Sequence, residues 1–572
     1  MKHILRYLPL LIIAFAAASC NKDFLEKPIG ADVNEDTIFS RRVNAETFLW
    51  DTYRRILPSG FPYHSWGWGG KEPYISSVSQ TCDEATSTVG WSWAYGIAVN
   101  GNTPTDGTGD LFTSKWDGIR KAYIFLSDID KVSDIPQAEK DQMKGEVKAM
   151  LALTYSEMLK RWGGVPLVKA RLYATDNTQI PRSTLKETVD FIVKLCDEAA
   201  AVLPDNYDSK WRGRMTKGAA LATKGRTLLF AASPLFNTDA PYINSANRDL
   251  YSYPSYDATR WQTAADANKA VIDWAAQSGW CKIINTGNPF DDYGRATSDY
   301  DNAEMILAYK GKITTWDKDG FQWWYEPFDW QGGCKMTLQA LKFFYKQDGT
   351  EQSWPAVDEH RLYSDYSTRM DAMEARCRQI VYPVGKNPYN NPTKYPWSIT
   401  GWDGNDGGVC RVTKFLYNYQ GEHYKDWPIF RLGEFYLNYA EALNEAQPNA
   451  QGAYDALNVI RSRAGLPQIL ITDPNYNTQD KLRQAIRRER AIELYGEEHR
   501  AFDVRRWLIA ETPGVIGSPF YTFQFSKTAD KKTLVDYYTM ESPKRAWYKK
   551  LYLYPFPQSE VNKGYLIQNP GY

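Results

Sequence analysis

The stretch LRQAIRRERAIELYGEEHRAFDVRRW, residues 482–507, combines helical periodicity with many Arg and Glu side chains. Its acidic residues Glu489, Glu493 and Glu497 are four positions apart, which places them on one face of a helix. Such a set could supply acid and base groups, and the neighbouring arginines could bind phosphate. We favour a structural role, because Arg–Glu networks that are partly buried commonly fix how helices pack.

The chain before this stretch predicts further helices that pair as hairpins. In RLGEFYLNYAEALNEA, residues 431–446, apolar side chains recur every three or four positions, and the pattern resumes after Pro448 in AYDALNVIRSRAGLP, residues 453–467. Four more such stretches begin at Met143, Ser183, Thr216 and Ala258. Helices joined by short loops pack antiparallel, and neither buries its apolar face alone. We therefore predict a mainly α-helical fold of stacked, tetratricopeptide-like hairpins without a strict repeat length.

Composition limits the classes of partner. The 572 residues include 68 basic and 68 acidic side chains, so the formal net charge is zero. We expect no nucleic-acid partner, because nucleic acids attract strongly basic surfaces. The chain has 21 Trp and 39 Tyr but only five His, which disfavours histidine-based metal sites and Ser–His or Cys–His catalysis.

The amino terminus has the pattern of an export signal. Lys2 and Arg6 precede an apolar run over residues 8–18. As a helix this run would reach about 16 Å, whereas the hydrocarbon layer of a bilayer is roughly 30 Å thick. It is too short to cross a membrane and predicts a signal peptide over residues 1–19.

The residues around Cys20 resemble the lipobox of bacterial lipoproteins, although Ala17 stands where the common pattern has Leu. The resemblance implies cleavage before Cys20, lipidation of its thiol, and a lipidated tether over residues 20–33. The pair Lys22 and Asp23 resembles signals that send such lipoproteins to the outer cell surface. The resemblance thus implies a lipid-anchored protein of the outer membrane that faces the exterior; the alternative is a plain secretory signal with an incidental cysteine.

The other six cysteines are widely separated and form no CxxC cluster; they are Cys82, Cys196, Cys281, Cys334, Cys377 and Cys410. An even number in an exported protein permits disulfides, but a chain of this length can build a core without them. We expect mostly free, buried thiols.

Five pieces of the sequence, in one order along the chain, resemble the SusD/RagB family of nutrient-uptake lipoproteins in Bacteroidetes. They are RWGGVPLV from Arg161, RLGEFYLNYAEALNEA, LNVIRSRAGLP, the charged stretch at residues 482–507, and the terminal YPFPQSEVNKGYLIQNPGY. The resemblance implies helical hairpins that support a large, irregular ligand-binding face. It also implies capture of an oligosaccharide or polysaccharide and its delivery to a SusC-like TonB-dependent transporter, although some relatives handle peptides or other nutrients.

Two regions rich in Gly, Pro, Asn, Asp and aromatic residues interrupt the helical pattern, at residues 59–114 and 281–424. The first lies in an N-terminal region of the mature chain over residues 34–280. The second lies in a C-terminal region over residues 281–572, which has its hairpins at residues 430–507. Regions this long usually serve a function or fold into small layers of their own. FPYHSWGWGGKEPY, residues 61–74, is typical of them.

These aromatic regions hold the candidate ligand-binding residues. A flat Trp or Tyr ring packs on the apolar face of a sugar, and Asp or Asn side chains hydrogen-bond its hydroxyl rim. The candidates are Tyr63, Trp66, Trp68, Asp83, Trp91, Trp93, Asn100, Trp323, Trp324 and Trp330. They are chosen by composition and location, since no binding motif transfers from the family. For each ring the alternative is that it fastens its loop to the helices.

Two other functions stay open at this point. A glycoside hydrolase also combines aromatic rings with paired carboxylates, here Asp83, Glu84, Glu326 and Asp329, but no HExxH, GxSxG or Walker sequence accompanies them. We expect no enzymatic activity. The other alternative is a helical-repeat adaptor that binds only proteins. Asp- and Gly-rich stretches at residues 101–110 and 403–408 do not match the EF-hand spacing, so we expect no metal and no other cofactor.

Overall fold

The computed structural model describes residues 35–57, 78–86, 93–105, 112–313, 335–384, 409–412, 414–415, 417, 423–530, 533–542 and 545–572. The helices of these residues are α1 Glu35–Ile38, α2 Arg42–Ile56, α3 Trp93–Asn100, α4 Phe112–Asp128, α5 Gln137–Trp162, α6 Leu185–Ala200, α7 Lys217–Ala232, α8 Thr259–Ser278, α9 Pro289–Ser298, α10 Leu338–Leu341, α11 Tyr363–Asp371, α12 Ala375–Ile380, α13 Leu432–Ala446, α14 Gln451–Arg463, α15 Gln479–Glu493, α16 Arg500–Arg506 and α17 Gln558–Val561. The strands are β1 Ala85–Thr86, β2 Met305–Ile313, β3 Lys335–Met336, β4 Arg361–Leu362, β5 Val381–Tyr382, β6 Cys410–Val412, β7 His423–Arg431, β8 Phe520–Lys527 and β9 Leu534–Ser542.

Antiparallel helical hairpins form the body of the protein, as the sequence predicts. Helix α5 packs on α6, α7 on α8, and α13 on α14, while α13 also contacts α8 and α15. The apolar faces of α7, α8, α13, α14 and α15 meet in one hydrophobic cluster. The fold is therefore mainly α-helical, with tetratricopeptide-like pairs stacked side by side.

Local sequence signals set where several helices begin. Thr184 caps α6 with a capping box: its Oγ1 accepts from the Glu187 amide at 3.1 Å, and Glu187 Oε2 accepts from the Thr184 amide at 2.8 Å. Thr216 caps α7 by accepting from the Ala219 amide. The first long hairpin helix begins at Gln137, directly after Pro136, and so extends further toward the amino terminus than the predicted start at Met143.

The charged stretch is two helices rather than one. Helix α15 ends at Glu493, and the turn that follows has positive φ at Gly496 (72°) and Glu498 (66°) before α16 begins at Arg500. Glycine adopts this left-handed conformation without the steric cost that a side chain brings. The turn redirects the chain, so Glu497 lies beyond the helical face that the spacing predicts.

The region predicted to be irregular at residues 281–424 folds partly into small layers. Strand β2 pairs antiparallel with β7 along its length, from Met305 opposite Arg431 to Ile313 opposite His423. A second, antiparallel sheet has the strand order β1-β3-β6-β5, and a third has the order β4-β9-β8. A second hydrophobic cluster packs these sheets against α9 and α15.

Five of the six predicted free cysteines are buried thiols, namely Cys82, Cys196, Cys281, Cys377 and Cys410. This confirms the expectation for them, and Cys334 lies outside the described residues. Within the ranges given above, every helix is too short or too polar to cross a membrane. The predicted signal peptide and tether, including Cys20, also lie outside these ranges.

Candidate functional site

The two regions predicted to bind ligand share a common base. Strand β1 ends at Thr86, directly before residues 87–92, and β3 begins at Lys335, directly after residues 314–334. Thr86 and Lys335 are antiparallel partners. In the sequence, the candidate Trp91 follows Thr86, and the candidates Trp323, Trp324 and Trp330 precede Lys335. We call residues 78–86 together with β3 the loop base.

The neighbouring strands fix other ends of the same loops. Strand β6 pairs with both β3 and β5, so the segment at residues 385–408 leaves and re-enters the same sheet. Strand β2 ends at Ile313, directly before the segment at residues 314–334, and is held there by pairing with His423 of β7. Short strands thus fix the described ends of the segments at residues 314–334 and 385–408.

Side chains from the charged stretch hold the loop base. Arg500 donates to both carboxylate oxygens of Asp83, at 2.9 and 2.6 Å, in a bidentate pair. The Val78 amide donates to Glu498 Oε2 at 2.7 Å, and the Gly496 amide donates to Glu84 Oε1 at 2.9 Å. The turn after α15 therefore orders the start of an aromatic loop.

Arg545 holds the same segment through its backbone carbonyls. Its Nη1 donates to the carbonyl of Gln80 at 2.6 Å and its Nη2 to the carbonyl of Ala85 at 2.6 Å. Arg545 is itself buried, and charge-assisted bonds of this kind are about twice as strong as neutral ones. Residues 78–86 are thus fixed by charged side chains that follow them by several hundred positions.

The structure corrects the prediction that Asp83 binds the ligand. Its side chain is fully buried and both of its oxygens accept from Arg500, so it does not present a carboxylate to a ligand. Glu84, a candidate catalytic carboxylate, is also buried, and burial raises the pKa of its carboxyl to about 8. In the structure this acidic pair supports the loop base.

Two other candidates lie in or beside α3. Asn100 is exposed at the carboxyl end of this helix, while Trp93 begins it and its side chain is outside the described part of the chain. The carbonyl of Ala98 accepts from the Ala546 amide at 2.9 Å, which ties α3 to the carboxyl-terminal region. The remaining candidates, Tyr63, Trp66, Trp68, Trp91, Trp323, Trp324 and Trp330, are outside the described residues, as are Glu326 and Asp329.

Tyr300 is an aromatic residue near this site that the sequence analysis did not single out. Its side chain is 43% exposed, and Lys310 Nζ lies 4.0 Å from its ring centre. Lys310 in turn pairs with Asp301 and, at 3.0 Å, with Asp426. The ring is therefore held near the end of β2, where the aromatic segment at residues 314–334 begins. In the sequence, the signal for Tyr300 is its position between the end of a helix and the start of a strand.

A buried ionic network under the sheets confirms the structural interpretation of the charged stretch. Glu493 accepts from Arg431 at 2.6 Å, from Arg376 at 3.2 Å and from Arg463. Burial alone would raise the pKa of Glu493, but these three guanidinium groups hold it well below its usual value. Glu497 accepts from Arg431 Nε at 2.7 Å.

The rest of the network joins further elements to α15 and to the turn that follows it. Glu489 accepts from Arg376 of α12 at 2.6 Å and from Arg461 of α14 at 3.0 Å. Lys414 donates to Glu497 at 2.6 Å, and burial lowers the pKa of this lysine to about 8. The carboxylates are enclosed and paired with cations, so they fix packing and are not displayed to a substrate.

Comparison with known proteins gives the family. The model of the SusD family matches residues 303–572, and a model described as "Starch-binding associating with outer membrane" matches residues 32–229. SusD-like protein P38 of Formosa agariphila is 32% identical over 446 residues, which cover 71% of this chain and 77% of the relative. The chain belongs to the SusD family.

Solved structures agree with this membership of the SusD family. A SusD-like protein from Bacteroides fragilis matches with a TM-score of 0.75 and 25% identity, over 96% of this chain and 100% of the other. A laminarin-binding SusD-like protein matches with a TM-score of 0.58 over 93% of this chain and 100% of its own, and its 18% identity shows a common fold.

The described residues contain no group of three or more His, Cys, Asp or Glu side chains placed to hold a metal ion. Of the two Asp- and Gly-rich stretches, residues 403–408 and 106–110 are not described, and residues 101–105 follow α3. What the structure describes of the candidate site is its base, which ionic and backbone hydrogen bonds hold in place.

Proposed function

We propose that the protein is a non-catalytic glycan-binding lipoprotein of the cell surface, which captures oligosaccharides and delivers them to a TonB-dependent transporter. The observation that supports this proposal is the loop base, in which Thr86, five positions before Trp91, pairs with Lys335, five positions after Trp330. Several rings from separate segments can then contact one sugar chain. The description of the matching family model, which names starch binding and the outer membrane, supports the same conclusion.

Weak binding fits this role. If three rings each contribute about 1 to 1.5 kcal/mol, together they supply roughly 3 to 4.5 kcal/mol, which corresponds to millimolar affinity. Hydrogen bonds to the hydroxyl rim add to this, and repeated contacts with one polymer raise the effective strength. A protein that passes its cargo to a transporter must release it rapidly, and weak binding permits rapid release.

The test uses the soluble form that lacks residues 1–20. Its migration is compared in native gels that contain one neutral or acidic polysaccharide each, and the same polysaccharides are incubated with the protein and assayed for new reducing ends. We expect retardation by at least one polysaccharide and no new reducing ends. Migration that no polysaccharide alters would contradict glycan binding, and new reducing ends would contradict a non-catalytic role.

Delivery and location are tested in cells. Purification of the lipidated protein from outer membranes, in mild detergent, is expected to bring with it a TonB-dependent transporter. Protease added to intact cells is expected to cleave the protein, as an outward-facing position requires. Isolation without a transporter, or full protection from the protease, would contradict these parts of the proposal.

A further inference from the structure

A cavity of about 650 Å³ lies apart from the loop base, between α4, the segment at residues 163–184 and the carboxyl-terminal region around α17. Small-molecule sites usually measure about 300 to 1,000 Å³. Helix α4 packs on α2 through Gly118 and through Asp117, which pairs with Arg55 at 2.7 Å. The cavity meets α4 at Trp116 and Arg120, so this helix supports the body on one side and lines the cavity on another.

The walls of the cavity are held in place. Arg171 donates to Asp128 at 2.6 Å, and Arg182 donates to the carbonyls of Gly164 and Trp162 at 2.9 and 3.0 Å. These buried or half-buried bonds fasten the segment at residues 163–184 at two points. A preformed site loses less conformational entropy when a ligand binds.

The carboxyl-terminal wall is also ordered. The Tyr565 hydroxyl donates to Glu560 Oε2 at 2.6 Å, and Lys563 donates to the same carboxylate at 2.8 Å. The Glu560 carboxylate therefore accepts hydrogen bonds from both Tyr565 and Lys563. The charge of Lys563 is therefore balanced inside the wall.

Aromatic rings supply the apolar part of the lining. Trp116 is half-buried and stands edge-on to Phe112, with ring centres 5.3 Å apart. Tyr173 is 55% exposed, and the Arg171 guanidinium lies 4.7 Å from its ring centre. Partly exposed rings on fixed walls are suited to the apolar face of a sugar.

Arg120 supplies a positive charge that has no ion-pair partner among the described residues. It is exposed on α4 and lines the cavity, and no hydrogen bond or ion pair joins its guanidinium to any described residue. Its neighbour Lys121, by contrast, pairs with Asp51 at 2.7 Å. A guanidinium beside aromatic rings suits a carboxylate or a sulfate, which it can bind in bidentate fashion.

We propose that this cavity binds an anionic saccharide unit, with its ring against Trp116 and Tyr173 and its carboxylate or sulfate on Arg120. The inference rests on the proposed function and extends it: the cavity is a second contact for the captured glycan and selects acidic sugars. Two contacts on one polymer strengthen retention without a tighter primary site.

The experiment measures retardation of the soluble form by polygalacturonate, by carrageenan and by the neutral glucan laminarin. The first two probes separate a carboxylate from a sulfate. The variant Arg120→Gln removes the charge, Tyr173→Ala removes an exposed ring, and Arg41→Gln removes an exposed charge at the start of α2 as a control. Thermal unfolding checks that each variant is folded.

We expect the parent to bind at least one acidic probe, and Arg120→Gln to weaken that binding about tenfold. Tyr173→Ala is expected to weaken the same binding, while Arg41→Gln leaves it unchanged and none of the three alters retention by laminarin. Equal losses in Arg120→Gln and Arg41→Gln would overturn the proposal in favour of unspecific charge attraction, and an effect of Tyr173→Ala alone would overturn it in favour of an uncharged ligand. A parent that binds laminarin but neither acidic probe overturns only this inference, whereas a parent that binds no polysaccharide of the wider panel overturns the proposed function as well.

Discussion

Arg500 and Asp83 connect the charged stretch to the candidate site through one buried, bidentate pair. Both side chains are almost fully enclosed, so each charge depends on the other for compensation. Burial of an ion pair costs solvation, but removal of one partner costs more because it leaves the other charge uncompensated. The pair therefore orders the loop base, and its stability depends on both charges being present.

The substitution Asp83→Asn tests this structural role. We expect it to lower the free energy of unfolding by roughly 3 kcal/mol, because Arg500 loses its counter-charge in the interior. Thermal or urea unfolding measures the change. A variant with the parent's stability but with selectively lost glycan retention would instead make Asp83 a ligand contact.

Glu84 gives stability a dependence on pH. Burial raises its pKa from 4.5 to about 8, so the folded protein keeps a proton that the unfolded chain has already released. The stability that this proton contributes is fully present below about pH 4.5 and is lost as the pH rises through about 8. The parent should lose roughly 2 to 4 kcal/mol from this residue between about pH 5.5 and 8.5.

The variant Glu84→Gln imitates the protonated side chain and keeps an acceptor for the Gly496 amide. We expect its melting temperature to fall less than the parent's between about pH 5.5 and 8.5, and the same substitution at exposed Glu511 to keep the parent's response. Parallel melting profiles for Glu84→Gln and the parent would contradict the raised pKa.

At this scale the sequence predicted the type of contact but not the partners. The Glu spacing in the charged stretch indicated buried Arg–Glu pairing, and the structure confirms it for Glu489 and Glu493. Composition and location within the region at residues 59–114 made Asp83 a candidate ligand contact. Its partner Arg500 is 417 positions away, and a single sequence contains no signal for a pair at that distance.

At the scale of elements, the hairpins depend on close contacts between helices. Gly218 lies near the start of α7, where an added Cβ would stand 2.1 Å from the Trp274 ring of α8. Trp274 also donates from its indole to Asp205 at 2.9 Å, which restricts its movement. Glycine is therefore required here for packing rather than for backbone conformation.

The substitution Gly218→Ala should reduce stability by roughly 1 to 3 kcal/mol, because the methyl group displaces a fixed indole. Its control is Gly96→Ala in α3, where an added Cβ meets nothing within 4 Å and alanine favours the helix. Thermal unfolding compares the two. Equal melting temperatures for both variants would show that the α7–α8 contact tolerates a larger side chain.

Periodicity predicted the hairpin helices because each one repeats its apolar face over several turns. The start of α5 was placed too late, since the periodic pattern does not mark the extra turns after Pro136. Strands β1 and β3 could not be predicted: two residues are too few for an alternating pattern, and their pairing joins positions far apart in the chain. For this reason the loop base was found from the structure and not from the sequence.

At the scale of the whole molecule, the proposal places the helical body on a lipid anchor at the cell surface. Several acyl chains on one cysteine bind a membrane firmly, since each buried methylene contributes about 0.8 kcal/mol and a single chain gives only marginal binding. The tether at residues 20–33 would then join this anchor to helix α1, which begins at Glu35.

The substitution Cys20→Ala is expected to release the protein from the membrane fraction and to abolish its labelling by a radioactive fatty acid. Cell fractionation and gel autoradiography measure both effects. The control Cys196→Ala replaces a buried thiol in α6 and should leave the lipid label in place. Persistent lipid label on the Cys20→Ala protein would contradict the assignment of the anchor.

The most direct test of the central claim measures glycan affinity after removal of one ring from each of the two segments whose described ends pair at the loop base. With the polysaccharide that retards the parent most, Trp91→Ala and Trp323→Ala are each expected to reduce affinity about fivefold, and the double variant to reduce it further. The control is Trp211→Ala, which removes a 40% exposed ring stacked 5.6 Å from Trp50 in another part of the chain, and it should bind as the parent does. Unchanged affinity in both loop variants, with both proteins folded, would contradict the claim that these aromatic loops bind the glycan.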